Sequence, residues 1–135
     1  MPVVVSSAFT PEGRSALRAA GSEALRRRTG LVLVRTEREG MSADDPDAEG
    51  LDAVRGEVES ELAAAGLAYE LRSVDGGDDP AGVLLSVAEE VDAELIVIGL
   101  RRRTPVGKLI LGVNAQRILL DAPCAVLAVK APYLG

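Results

Sequence analysis

Apolar residues in this chain fall into two kinds of segment that alternate from end to end. Short β-branched runs, PVVVS at Pro2–Ser6, LVLV at Leu31–Val34, ELIVIG at Glu94–Gly99 and CAVLAV at Cys124–Val129, do not alternate with polar residues. Continuous apolar runs of that length predict strands buried on both faces, the pattern of a parallel sheet. A further strand is expected at Leu67–Val74, where Tyr69, Leu71 and Ser73 alternate with polar neighbours, the mark of an edge position. Between the strands lie longer Ala- and Leu-rich stretches with helical spacing. Thr10-Pro11-Glu12 reads as a helix start, with a hydroxyl cap, proline at the first helical position and an acid in the first turn. That helix runs to about Arg28 with Ala16, Leu17, Ala20, Ala24 and Leu25 on one stripe, and Gly30 is the expected stop. A second helix is expected from Asp47 to Ala65, with Leu51, Val54, Val58, Leu62 and Ala65 inward and Gly66 ending it. A third covers Ala81–Val91 with Val83, Leu84, Val87 and Val91 inward, after a turn and cap at Gly76–Pro80. The last runs from Gly112 to Asp121 with Ile118 and Leu119 as its apolar residues, and Pro123 breaks it.

The resulting order, β-α-β-α-β-α-β-α-β, implies right-handed crossovers and a parallel sheet. A single doubly wound five-stranded sheet in the order 3-2-1-4-5, with helices on both faces, satisfies it. The strand order then reverses between the first and fourth strands, and ligands of such sheets bind outside the carboxyl ends at that point. Ser6–Thr10 and the segment from Gly99 onward would line that crevice.

Composition narrows the picture. At 135 residues, with no linker, repeat or low-complexity tract, the chain reads as one domain over residues 1–135. It is 47% hydrophobic and 27% charged, which suits a globular chain, and no apolar run has the roughly 18 residues of a bilayer span. The start MPVVVSSAF lacks the charged region of a signal peptide, so a cytoplasmic location is expected. The single cysteine, Cys124, forbids an internal disulfide and fits a reducing compartment. The net charge of −6 argues against nucleic acid as the main partner.

Histidine is absent, which removes the usual zinc sites, the histidine-based triads and the commonest general base. Gly107-Lys108-Leu109 fails the phosphate-loop pattern at its last position, and no serine sits in a nucleophile elbow. The sequence therefore offers no catalytic residue, and the expectation is a non-enzyme. The acids of the expected loop Glu37–Asp47 lack the spacing and glycine of a calcium loop, so no metal site is expected. Cys124 has no second cysteine to resolve an oxidised form and reads as structural.

The stretch ELIVIGLRRRTPVGKLILGVNAQRILLDAPCAVLAVK resembles the universal stress protein family, which carries a strand, Gly-x2-Gly-x9-Gly-Ser/Thr, a helix, a Pro-containing turn and a final valine-rich strand. Gly99 and Gly112 match in spacing, Asp121-Ala122-Pro123-Cys124 matches the turn, and VVVSSAFTPEGRSAL resembles the family's opening strand and first helix. The resemblance covers essentially the whole chain. It implies an adenine nucleotide alpha hydrolase-like fold, a role in the stress response and a crevice for ATP or AMP, with Mg²⁺. The matching site positions are Ala8, Ile98, Gly99, Arg102, Gly112, Val113 and Asn114.

Three of them depart from the family pattern. Ala8 stands where an Asp contacts the adenine base, Arg102 where a loop glycine lies, and Val113 where a Ser or Thr meets phosphate. A phosphate cradle needs close backbone approach and free N–H groups at a helix N-terminus. Each lost hydrogen bond costs about 0.5–1.5 kcal/mol net. The expectation is a regulatory or binding domain with a degenerate site. The alternatives open here are a functional ATP- or AMP-binding module in which Arg101–Arg103 and Lys108 form an anion-binding lip, a weak nucleotide hydrolase, and a pure interaction protein. The same four cations also read as a solvated basic loop. The final strand, Cys124–Lys130, would be an unprotected apolar edge. Relatives pair this strand antiparallel, so the resemblance implies a homodimer through it, with further protein partners open.

Overall fold

The computed structural model describes residues 1–6, 13–37, 46–75, 79–100 and 113–130. Its elements are β1 Val3–Ser6, α1 Gly13–Arg27, β2 Leu31–Glu37, α2 Pro46–Ala64, β3 Tyr69–Asp75, α3 Pro80–Glu90, β4 Leu95–Leu100, α4 Val113–Asp121 and β5 Ala125–Lys130. The five strands form one parallel sheet in the order β3-β2-β1-β4-β5, as the alternation of segments predicts. β1 and β4, the strands flanking the reversal, are buried along their whole length, which is why their sequences carry almost no polar side chain.

Alternate residues of the central strands feed two separate cores. Val3, Val5, Leu31, Leu33, Leu95 and Val97 meet Ala16, Leu17 and Ala20 of α1 and Val54, Val58 and Leu62 of α2. Val4, Val32, Val34, Ile96 and Ile98 meet Leu84 and Val87 of α3 and Ile118 of α4. Each fully buried aliphatic side chain contributes about 1.5–3 kcal/mol relative to exposure. With only three aromatic residues in the chain, close packing of small groups replaces bulk. A Cβ at Gly21 of α1 would stand only 3.0 Å from a Val58 methyl of α2, so the two helices are in close contact there.

Three helices finish with the same hydrogen-bond pattern. Thr29 N–H donates to the Ala24 carbonyl at 3.0 Å, Leu67 to Leu62 at 2.9 Å and Ala93 to Ala88 at 2.9 Å. Each closure needs a left-handed residue just before it, and these are Arg28 (φ 54°), Gly66 (φ 75°) and Asp92 (φ 55°). The expected stop at Gly30 is thus corrected: Arg28 turns the chain. Gly30 instead lies against Ala68, the residue before β3, where a Cβ would meet the Ala68 carbonyl oxygen at 3.2 Å.

Other boundaries shift for identifiable reasons. β2 continues past Val34 through Arg35, Thr36 and Glu37 because β3 pairs with it as far as Glu37↔Asp75. The loop expected at Glu37–Asp47 is therefore shorter at both ends, since α2 begins at Pro46. Its middle, and the Thr10-Pro11-Glu12 helix start, lie outside the described residues. Ala65 is exposed beyond the last turn of α2, and Leu119 is exposed where the sequence pattern placed it inward. On α4, only Ile118 is fully buried.

Candidate functional site

The crevice forms where β1 hands its neighbours on: β2 on one side, β4 on the other. Val5 lies opposite Val97, and Ser6 and Ile98 follow at the carboxyl ends of the two strands. Ser6 is the one buried polar residue among the described residues. β4 then runs further, with Gly99 opposite Val129 and Leu100 opposite Lys130 of β5. Ile98 and Leu100 point into the α3/α4 core, so Ile98 is a wall residue whose side chain is spent on packing. Gly99 falls on the other face; it carries no side chain and is buried like the rest of β4.

α4 enters the same end of the sheet. Val113 is its first residue and is 81% exposed; Asn114 follows, half-buried. The unpaired N–H groups of the first helical turn are anion-attracting, and the helix dipole adds to this. Val113 supplies them with no hydroxyl. Of the seven sequence-derived site positions, Ile98 and Gly99 lie near the carboxyl end of β4, and Val113 and Asn114 are the first two residues of α4. Ala8, Arg102 and Gly112 lie outside the described residues, as do Phe9, Arg101, Arg103, Gly107 and Lys108.

A second feature has no counterpart in the sequence reading. α3 packs on β1 and β2. An open cleft of about 510 Å³ lies beside it, lined by Arg72 and Val74 of β3, by Asp79, Val83, Ser86 and Glu90, and by Arg117 of α4. Asp79 caps α3, accepting from Gly82 N–H at 3.2 Å, and pairs with Arg117 of α4. A Cβ on Gly82 would collide with the Asp79 carboxylate, so the glycine leaves room for the cap. At the other end Arg72 donates to Glu70 at 2.9 Å and to Glu90 at 3.1 Å. Asp79 and Arg117 are 38 residues apart in sequence, and no local motif announces their meeting.

Two titrating groups bear on chemistry. Burial pushes the Cys124 thiol above its usual range, against a smaller opposing effect of a backbone hydrogen bond at Ile96. A raised pKa disfavours the nucleophilic thiolate. Burial likewise raises the phenol of Tyr69, whose hydroxyl is buried without a hydrogen-bond partner. Among the described residues no group of three His, Cys, Asp or Glu side chains is placed to hold a metal ion, and no helix is long and apolar enough to cross a membrane.

This geometry can be set beside known proteins. A universal stress protein of Mycolicibacterium smegmatis is 42% identical over 131 residues, covering 95% of this chain and 96% of that protein. The structure of a universal stress protein from Archaeoglobus fulgidus is 31% identical and superposes with a TM-score of 0.68, covering 96% and 98% of the two chains. A crystal structure of a universal stress protein in complex with cAMP is 25% identical, with a TM-score of 0.68 and 98% coverage of both. The profile of the Universal stress protein family matches residues 1–130, the whole of the sheet from β1 to β5, and this chain belongs to that family.

Proposed function

We propose that this chain is a regulatory or binding domain of the stress response whose adenine-nucleotide site is degenerate. It works as a cytoplasmic homodimer joined through β5 and its flank, Cys124–Lys130, and not as an enzyme. The observation that carries the reading is Val113. It opens α4 at the crevice, is 81% exposed, and presents an apolar side chain where the family motif has a hydroxyl. The absent acid at Ala8 and the charged Arg102 at a glycine position point the same way. Gly99 and the α4 N-terminus would supply the backbone part of a phosphate cradle, with fewer directed contacts than the family motif offers. That a relative's structure contains cAMP makes an adenosine monophosphate the ligand class to test first. The outer edge of β5, with Val126, Leu127, Ala128 and Val129 half-buried, supports the dimer.

The test is calorimetric titration of nucleotide-free protein with AMP, cAMP and ATP with Mg²⁺. The expected result is no saturable binding below about 1 mM. Ala8→Asp combined with Val113→Ser should then tighten binding by roughly one to two decades, since two hydrogen bonds are restored. Micromolar binding by the unaltered chain would overturn the reading and favour the functional module built on Gly99, Gly112 and the Arg101–Arg103 lip.

A further inference from the structure

We infer that the outer edge of β3 is a docking edge for a second copy of this chain, joined antiparallel about a two-fold axis through Leu71. The inference is independent of the nucleotide site. Among the described residues β3 ends the sheet, bonded to β2 alone, so one row of its backbone groups has no described strand beside it. Its sequence is Tyr69-Glu70-Leu71-Arg72-Ser73-Val74-Asp75. With the axis at Leu71, Glu70 of each copy stands directly opposite Arg72 of the partner subunit, twice over, and the two Leu71 side chains face each other. No other two-fold register centred within β3 sets these opposite charges across from one another. A register centred on Arg72 opposes two guanidinium groups, and one centred on Glu70 opposes two carboxylates.

Three features of the strand favour this register. Glu70 and Arg72 lie on one face and are already in contact at 2.9 Å, so the charges that the partner must meet are held together at the edge. Leu71 lies on the other face and is 39% exposed, one of few large apolar side chains left open to solvent among the described residues. Pairing it with its own copy removes that surface from water. The cleft beside α3 opens on the face of Arg72 and Val74, so the incoming strand's Glu70 arrives beside Arg72, which is already bonded there to Glu90 at 3.1 Å. Charged residues on an edge usually block pairing. Here their order, acid-Leu-base, refuses a generic apolar strand and accepts its own reverse, because directly opposed opposite charges stabilise an antiparallel pair and like charges destabilise it.

The test is sedimentation velocity over a concentration series with the intact chain, Glu70→Arg, Arg72→Glu and the double exchange. Each single variant sets like charges across the axis, and the association step beyond the proposed β5 pairing, which the variants leave intact, should weaken by about tenfold or more. The double exchange restores opposite charges and should recover to within about threefold of the parent. Circular-dichroism melting of all four proteins establishes that each is folded. The inference is overturned by a parent that stays monomeric up to about 1 mM, by single variants that associate unchanged, or by a double exchange that stays dissociated while folded.

Discussion

Among the described residues the sheet ends on two edge strands, and they are managed in opposite ways. β5 is Ala-Val-Leu-Ala-Val-Lys, with charge only at its end. Its four central residues are half-buried because Leu127 and Val129 pack toward the α1 core and Val126 and Ala128 toward the α3/α4 core. β3 occupies the equivalent position on the far side and is held by few apolar contacts. Leu71 and Ser73 are exposed, and its cleft face is furnished by Arg72 tied to Glu70 and Glu90. One edge is stabilised by helices lying over it, the other by a small network of charges and by its backbone bonds to β2. The same topological position therefore carries very different sensitivities to substitution.

The largest expected effect breaks the comparison at its apolar end. Leu127→Asp puts a carboxylate among half-buried aliphatic side chains and should cost about 2–4 kcal/mol. Leu71→Asp on β3 should cost under about 1 kcal/mol. Urea denaturation of the two variants side by side reads the difference, and equal losses would show that the two edges are not distinct.

A smaller effect sharpens the β3 side. Tyr69→Phe removes a buried hydroxyl that has no partner, so the variant should be more stable than the parent by about 1 kcal/mol. The pH dependence carries a sign. Burial holds the Tyr69 phenol above its ordinary value, so its neutral form is favoured in the folded state. Stability is unaffected by this group below about pH 10 and falls as pH rises through the raised value. The phenylalanine variant should lose that part of the alkaline decline. Parallel melting curves between neutral and strongly alkaline pH check both statements.

The smallest effect lies next to β3, in the cleft. Asp79→Ala removes the α3 cap and the partner of Arg117 together. Most of the loss, about 1 kcal/mol, should come from the cap, since the ion pair is largely exposed. Arg117→Ala alone should therefore be nearly silent in the same denaturation assay.

The contrast between edges was half visible in the sequence. Uninterrupted β-branched runs marked β1, β2, β4 and β5, and the alternation at Tyr69, Leu71 and Ser73 marked β3 as an edge. What the runs could not give was where β2 ends. Arg35, Thr36 and Glu37 are polar, yet they stay in the ladder because β3 pairs alongside, and that partner is set by topology. Helix ends were legible to within a residue, including the α4 end at Asp121 before Pro123, but the residue that turns the chain was legible only where it is glycine. Gly66 was, but Arg28 and Asp92 reach the same left-handed conformation because the closing hydrogen bonds hold them there. At the site, the motif spacing picked out Ile98 and Gly99 near the carboxyl end of β4 and Val113 and Asn114 at the start of α4, while Ala8, Arg102 and Gly112 lie outside the described residues. The cleft was invisible, since Arg72, Asp79 and Arg117 belong to three separate elements and converge only on folding.

The sheet order also has a consequence in time. β1 is made early, yet its neighbour on the crevice side is β4, and their pairing sets Val3 beside Leu95. While the chain emerges from the ribosome, β1, β2 and β3 can assemble with α1 and α2 as soon as they appear, but the crevice has only one wall. Closing it requires a contact of large sequence separation, which is entropically slow. A nascent or truncated chain that stops short of β4 thus presents the buried valines of β1 on an open edge and has no ligand crevice at all. Completion of the fold and the appearance of the crevice are a single event, so any ligand of that crevice distinguishes finished molecules from unfinished ones.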